Sequence, residues 1–468
     1  MNIEEKISFG FINNEKCIIK SYKILLLLIF FFVKLYYNII FNFYISEINK
    51  NYSQIQHDLN LNFMNNLNNK INLGIYSFCL KYGGRARLTS ILINYMYKIK
   101  IFKIYLFTKV NKEDNEYLIP ETIKRMVIKN NIKKVISRYK IGILIYNLND
   151  DTEMNTLNNL VIPKTIYYQH TSFFYLLYSN YTVFLSIYKE YQNSKYVVSL
   201  IPLESNYIFK YWGISSILMK SFVTYDYNSI IPSDLMSNTI LMIGRSNIKF
   251  KRFKLGINAM EYIIKENSMC EMKIISSIND SYYMQYLVEN LNLENYIKLV
   301  GFTLTPEIYF ENASLHIFPS VSESFGLVLS ETKIYGIPNI LVGLDYVQIS
   351  KGGTIIIYDE SAESIAKESI KLINNKEKRK FLGKEARKSM KKFNNQLLFN
   401  NWVKLILSVY NGDFNYNKIK KQEEQKDENE LNKLLINQIE LLKKRNINFY
   451  NISIKDFQNF SNLYKFNI

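Results

Sequence analysis

Two carboxylates, Glu323 and Glu331, stand eight positions apart in the stretch Phe318-Pro319-Ser320-Val321-Ser322-Glu323-Ser324-Phe325-Gly326-Leu327-Val328-Leu329-Ser330-Glu331. The residue types there set out a strand ending at Pro319, a turn carrying Glu323 and Gly326, and a helix beginning at Gly326. The first turn of a helix has N–H groups without intrahelical partners, and the helix dipole adds positive potential, so Phe325, Gly326 and Leu327 would present amides to a phosphate. Eight residues is close to two turns, which predicts Glu323 and Glu331 on a similar face. Carboxylates accept hydrogen bonds from hydroxyls. The pattern therefore fits a polyhydroxylated ligand with a phosphate between two sugars. The competing reading is two surface carboxylates on an ordinary helix.

Three other places carry chemistry-bearing residues. Gly244-Arg245 closes an apolar strand and Lys251 follows it; cations there would attract an anionic ligand, with Lys249 as the alternative to Lys251 and plain surface charge as the bland reading. Gly83-Gly84 follows another strand and opens a helix, and glycine lets a backbone approach a phosphate or sugar closely, or simply makes a tight turn. His170 ends the strand Thr165–Gln169, where a histidine serves either a ligand or a structural hydrogen bond. His316 lies inside an apolar strand and reads as core.

These residues need strands to position them. Asn72–Leu80, Lys103–Thr108, Ile141–Tyr146 and Thr165–Gln169 read as short apolar strands, with helical stretches at Leu88–Tyr97 and ending at Ile132–Tyr139. A second series follows: strands Thr239–Ile243, Glu271–Ser276, Ile297–Val300, Leu315–Pro319, Pro338–Val342 and Thr354–Ile357, with helices Lys254–Lys265, Tyr282–Asn290, Gly326–Tyr335 and Ala362–Asn374. Apolar strands alternating with helices predict parallel α/β sheets. Two series of similar length predict two Rossmann-like domains facing across a cleft, over residues 71–236 and 237–410. Ligands in such folds bind at the carboxyl ends of the strands. Lys351-Gly352-Gly353-Thr354, between a loop and the last strand, reads as structural.

The ends of the chain differ from the middle. Residues 1–70 contain an apolar run over 24–45, interrupted by Lys34 and preceded by Lys6, Lys16, Lys20 and Lys23. A span takes about 20 residues, so this is either a membrane anchor or a buried helix packed on the body. A membrane-associated protein with its body facing the cytosol is the expectation. Residues 411–468 begin charged and mixed in sign; Leu431, Leu434, Leu435, Ile439 and Leu442 then recur at helical spacing. This predicts an accessory helix that either caps the body or makes a partner or membrane contact.

Composition excludes some classes. The 468 residues carry a formal net charge of +18, yet the basic residues are dispersed among acids and form no basic, aromatic-studded groove, so no nucleic-acid partner is expected. The three cysteines (Cys17, Cys79, Cys270) and three histidines (His57, His170, His316) show no disulfide or zinc spacing, so no metal or other cofactor is expected.

The pair Glu323 and Glu331, with Pro319-Ser320 before it, Phe325-Gly326 within it and Gly336-Ile337-Pro338 beyond it, resembles the paired-glutamate motif of the retaining glycosyltransferases of family 4, which have the GT-B fold. The resemblance covers about residues 72–410. It implies transfer of a sugar from a nucleotide diphosphate sugar, itself a co-substrate, to a glycan or lipid-linked acceptor, with retention and without a metal. It further implies that Glu323 contacts the donor sugar, Glu331 holds the ribose, and Arg245 with Lys251 hold the diphosphate. By the same resemblance, Gly83-Gly84 is the glycine-rich loop and His170 faces the sugar, while Ser324 and the amides of Phe325, Gly326 and Leu327 lie along the donor. The gap from Arg245 to Lys251 is one residue longer than is usual in the family. Arg85-Ala86-Arg87 departs from the small-then-acidic residues often found after the glycines. Two alternatives stay open: a degenerate nucleotide-sugar-binding protein tethered to a membrane, and a nucleotide-sugar epimerase.

Overall fold

A computed structural model describes residues 70–81, 83–99, 101–128, 132–147, 164–172, 191, 196–205, 208, 216–245, 248–276, 281–414, 433–434, 437–438 and 441. The apolar segment 24–45 lies outside the described residues, and no helix among those described is long and apolar enough to cross a membrane.

The first sheet has seven strands: β1 Ile71–Ser77, β2 Phe102–Thr108, β3 Lys124–Val127, β4 Ile143–Asn147, β5 Thr165–Tyr168, β6 Tyr196–Ser199 and β7 Ile217–Leu218. They run in the order β3-β2-β1-β4-β5-β6-β7, every pair parallel. The second sheet has six strands: β8 Thr239–Ile243, β9 Glu271–Ile275, β10 Ile297–Leu299, β11 Leu315–Phe318, β12 Asn339–Val342 and β13 Thr354–Ile357. Their order is β10-β9-β8-β11-β12-β13, again all parallel. A central parallel strand is covered on both faces, so it reads as an unbroken apolar run. Strands β4 (ILIYN), β8 (TILMI) and β11 (LHIF) are buried along their whole length.

In both sheets the strand order reverses beside the first strand, between β1 and β4 and between β8 and β11. Adjacent loops leave such a reversal in opposite directions and open a crevice at the carboxyl edge. The loops after β1, β5, β8 and β11 carry Gly83, His170, Arg245 and Glu323 respectively, so the topology alone brings the candidate residues to those edges.

Helices α1 Gly83–Tyr97 and α2 Ile132–Arg138 belong to the first sheet. Helices α3 Ile248–Lys251, α4 Phe253–Glu266, α5 Ser281–Asn290, α6 Glu307–Phe310, α7 Leu327–Ile334, α8 Ala362–Ile373 and α9 Lys376–Met390 belong to the second, and α10 Asn395–Asn411 ends the body. Helix α10 crosses back to the first domain. Its Trp402 meets the Tyr168 ring edge-on at 4.8 Å between centroids. At its start, Asn395 donates to the Val223 carbonyl (2.7 Å) and accepts from the Val223 amide (2.9 Å).

Helix α1 starts at Gly83, five residues before the helical pattern of the sequence, because its first turn is Gly-Gly-Arg-Ala-Arg and shows no apolar period. Strands β3, β6 and β7, and helices α9 and α10, were not anticipated. Strand β3 (KRMV) is half exposed at the sheet edge, and β7 is two residues long. Of the tail, Leu434, Gln438 and Leu441 are buried against the body.

Candidate functional site

The loop after β11 is held from two sides. Lys251 at the end of α3 pairs with Glu323 and donates to the Ser320 hydroxyl at 3.3 Å. Its ammonium also lies 5.2 Å from the centre of the Phe318 ring. The next residue, Arg252, donates from Nε to the Pro319 carbonyl at 2.6 Å and pairs with Glu360 at 2.9 Å. The Val321 amide donates to the Phe250 carbonyl at 2.8 Å, joining α3 to the loop. On the other side, the Tyr346 hydroxyl accepts from the Glu323 amide and meets the Ser322 hydroxyl, each at 3.1 Å.

The predicted geometry of the glutamate pair is corrected here. Gly326 sits at φ +78°, and α7 begins only at Leu327. Glu323 therefore lies in the loop rather than on the helix, and the two carboxylates are not two turns apart on one face. They face different partners: Glu323 meets Lys251, whereas Glu331 meets Arg87 and Thr224. The physical reason is the left-handed Gly326, which ends the loop in a conformation that no helix contains.

Glu331 is only 1% exposed. Its Oε1 accepts from Arg87 Nη1 at 2.8 Å and from the Thr224 hydroxyl at 2.7 Å. Arg87 comes from α1, so this ion pair crosses between the domains. Arg87 also lies 5.7 Å from the Tyr117 ring and 5.8 Å from the Tyr225 ring. Burial acts first on both partners. For Arg87, burial is the largest single effect, but Glu331, Tyr225 and Tyr117 together outweigh it and the guanidinium stays charged more firmly than usual. For Glu331, which is the deeper of the two, burial prevails over Arg87 and Thr224 and raises its pKa above the ordinary carboxylate value.

The two domains meet at the start of α1. A methyl group built on Gly83, which has φ +78°, would come within 3.0 Å of Arg245 Nε, so the Arg245 side chain lies against the glycine backbone of the other domain. One built on Gly84 would meet Leu327 Cβ at 3.7 Å. The N-termini of α1 and α7 thus approach each other with Arg245 alongside. The N-cap residue of α7 is Gly326, which has no side chain to cap it. Phe325 turns its ring into the core against Phe393, which leaves its backbone as the part able to serve a ligand; Ser324 and Leu327 are half-buried. The Lys249 side chain lies outside the described residues.

His170 is buried and packs against Tyr168, with 3.9 Å between ring centroids and the planes tilted by 53°. Its Nε2 is 2.9 Å from Asn147 Oδ1. The Asn147 amide nitrogen donates to the Tyr76 carbonyl and the Thr89 hydroxyl. That fixes which way the amide points and makes His170 Nε2 the protonated nitrogen. Burial, with help from the Arg85 charge, holds the His170 pKa well below the usual value, so the imidazole is neutral. It is a fixed hydrogen-bonding group rather than a proton exchanger near neutral pH.

His316 is fully buried and bonded through Nδ1 to Asn339 at 2.7 Å, as a core residue should be. Lys351–Thr354 is structural too: Lys333, buried in α7, donates to the carbonyls of Ile349, Lys351 and Gly352. Of the groups around the site, Arg87, Thr224, Asn147 and Tyr346 carried no positive signal in the sequence.

Residues 227–389 match the family model described as Glycosyl transferases group 1. That segment is a glycosyl transferases group 1 domain. It contains β8–β13 and the loops bearing Arg245, Lys251, Glu323 and Glu331. Among curated proteins, the chain is 24% identical over 164 residues to poly(ribitol-phosphate) alpha-N-acetylglucosaminyltransferase of Staphylococcus aureus (strain COL), covering 34% of this chain and 33% of that protein. It is 27% identical over 232 residues to the capsular polysaccharide biosynthesis glycosyltransferase CapM of Staphylococcus aureus, covering 39% of this chain and 58% of CapM. The chain thus spans a third to somewhat over half of the length of these relatives. Among solved structures, Anabaena Alr3699/HepE in complex with UDP and glucose superposes with a TM-score of 0.61 at 14% identity, covering 72% of this chain and all of that one. The likeness shows the fold: the group 1 domain and the domain before it have the GT-B arrangement.

Proposed function

We propose that the protein is a glycosyltransferase that moves a sugar from a nucleotide diphosphate sugar to an acceptor hydroxyl with retention of anomeric configuration. The observation that carries this reading is the convergence of Gly83, Arg245, Lys251, Glu323, α7 and Glu331 on the cleft between the two parallel sheets. The family match over 227–389 and the named activities of the relatives agree with it. Arg245 and Lys251 supply charge for the diphosphate, whose negative charge grows as it leaves. Glu331 accepts the ribose hydroxyls. Glu323 and the amides of Phe325, Gly326 and Leu327 orient the sugar. The neutral His170 serves the sugar as a positioned hydrogen-bonding group. The acceptor hydroxyl attacks on the face from which the diphosphate departs, and the leaving phosphate takes its proton. No metal or other cofactor is needed on this reading, because the two cations neutralise the diphosphate. Closing the cleft excludes water, whose attack would hydrolyse the donor. The acceptor is a glycan or a lipid-linked saccharide, and the body acts at a membrane on its cytosolic side, where segment 24–45 would anchor it.

A second reading, a nucleotide-sugar-binding protein that does not turn over, uses the same cleft; on either reading Arg87 has to release the Glu331 carboxylate to a donor ribose. A panel of labelled nucleotide sugars separates the two. Binding with transfer supports the enzyme, and binding alone supports the binding protein. If the protein binds no member, and Glu323→Ala leaves any transfer unchanged, the donor-site assignment is wrong.

A further inference from the structure

Downstream of the group 1 match, Leu434, Asn437, Gln438 and Leu441 recur at helical spacing and present one face. Leu434 and Leu441 are buried, and Gln438 is 1% exposed. Gln438 Nε2 donates to the Gly343 carbonyl at 2.8 Å and to Asp345 Oδ1 at 2.9 Å; Asn437 Nδ2 donates to Asp345 Oδ2 at 3.2 Å. The third side chain donating to that carboxylate is Tyr358, at 2.8 Å. Asp345 is 6% exposed. A carboxylate so buried needs hydrogen bonds to remain there, and among the described residues two of its three side-chain donors come from the tail.

The neighbour of Asp345 is Tyr346, whose hydroxyl holds the Glu323 amide and Ser322. Ser172, two residues past His170, also hydrogen-bonds with Tyr346. Gln348 in the same segment donates to the Leu200 carbonyl of the first domain. Residues 343–350 therefore touch the Glu323 loop on one side and the first domain on the other.

We infer that the tail face formed by Leu434, Asn437, Gln438 and Leu441 is an intramolecular clasp: by bonding Asp345 and Gly343 it fixes residues 343–350, and through Tyr346 it sets the Glu323 loop. Asn437, Gln438, Asp345 and Tyr346 are positioning residues on this view, and its consequence for donor binding rests on the function proposed above. With the tail withdrawn, Asp345 turns toward water and takes Tyr346 with it.

The test uses the full chain. Asn437→Asp sets a second carboxylate against Asp345, and adding Asp345→Asn removes the repulsion. Hydrogen exchange is followed by peptide over 318–326 and 433–441, alongside KM and kcat with the donor found in the panel. Asn437→Asp is expected to speed exchange in both peptides about tenfold and to raise donor KM more than it lowers kcat, with the double variant recovering toward the parent. Fast exchange at 433–441 with parental exchange at 318–326 overturns the clasp. So does parental exchange in both peptides. If the parent binds no nucleotide sugar, the proposed function falls, and the exchange readout still decides the clasp.

Discussion

Arg87→Met tests the contact between domains most directly. Methionine keeps much of the stem that packs near Tyr117 and Tyr225 but removes the guanidinium, so among the described residues Glu331 retains only the Thr224 hydroxyl, at 2.7 Å, as a side-chain partner. Removing one partner of a buried ion pair costs about 3–5 kcal/mol, because the other charge stays buried and unpaired. The Glu331 side chain is 2% exposed but that of Arg87 is 18% exposed, which favours the lower end, about 3 kcal/mol at neutral pH. The pH dependence follows from the direction of the shift. The Glu331 pKa is already raised by burial, and losing Arg87 raises it further. A carboxyl with a folded pKa above its unfolded one binds protons more tightly when folded, so it costs stability above the folded pKa and costs less as pH falls through it. The deficit of Arg87→Met should therefore shrink from pH 7 toward the ordinary carboxylate range. Glu331→Gln in the same background should recover most of it, since a neutral amide needs no counter-ion. Urea unfolding of the parent and the two variants at two pH values reads this. A deficit under about 0.5 kcal/mol at pH 7, or one that Glu331→Gln leaves unchanged, refutes the buried-pair argument.

On the proposed function, Lys251→Met should raise donor KM at least tenfold, because it removes one of the two cations assigned there to the diphosphate and takes the ion-pair partner from Glu323; an unchanged KM would point to Lys249 or to another site altogether. Lys333→Met removes the ammonium shared by three carbonyls, of which Gly352 keeps the Thr354 hydroxyl at 3.3 Å, and should destabilise the fold by about 2–3 kcal/mol, read by urea unfolding. His170 is held neutral by burial, so its stabilising contribution is present above its usual pKa and is lost as pH falls below it. His170→Gln should flatten the acid side of the stability profile while leaving the neutral region less affected. Gly83→Ala forces a side chain into φ +78° against Arg245 and should cost about 1–2 kcal/mol in unfolding and weaken donor binding; parental behaviour would show that this turn is slack.

The amino-acid order determined both parallel sheets in outline. Buried parallel strands are apolar along their whole length, so β4, β8 and β11 stand out in any reading of the chain. It also placed Gly83, His170, Arg245 and Glu323 at strand ends, which in this class of fold is where a crevice opens. Short edge strands such as β3 and β7, half exposed or two residues long, left no such imprint. Local spacing misjudged the glutamate pair, because whether Gly326 continues a helix or turns left-handed is decided by packing around Phe318 and Phe325. The partners of the buried carboxylates Glu331 and Asp345 were decided by tertiary structure alone. Arg87 lies 244 residues before Glu331, and Asn437 lies 92 residues after Asp345. Pattern reading works over one helix or one strand, whereas the charge balance of a cleft is set by whichever side chains folding brings across it.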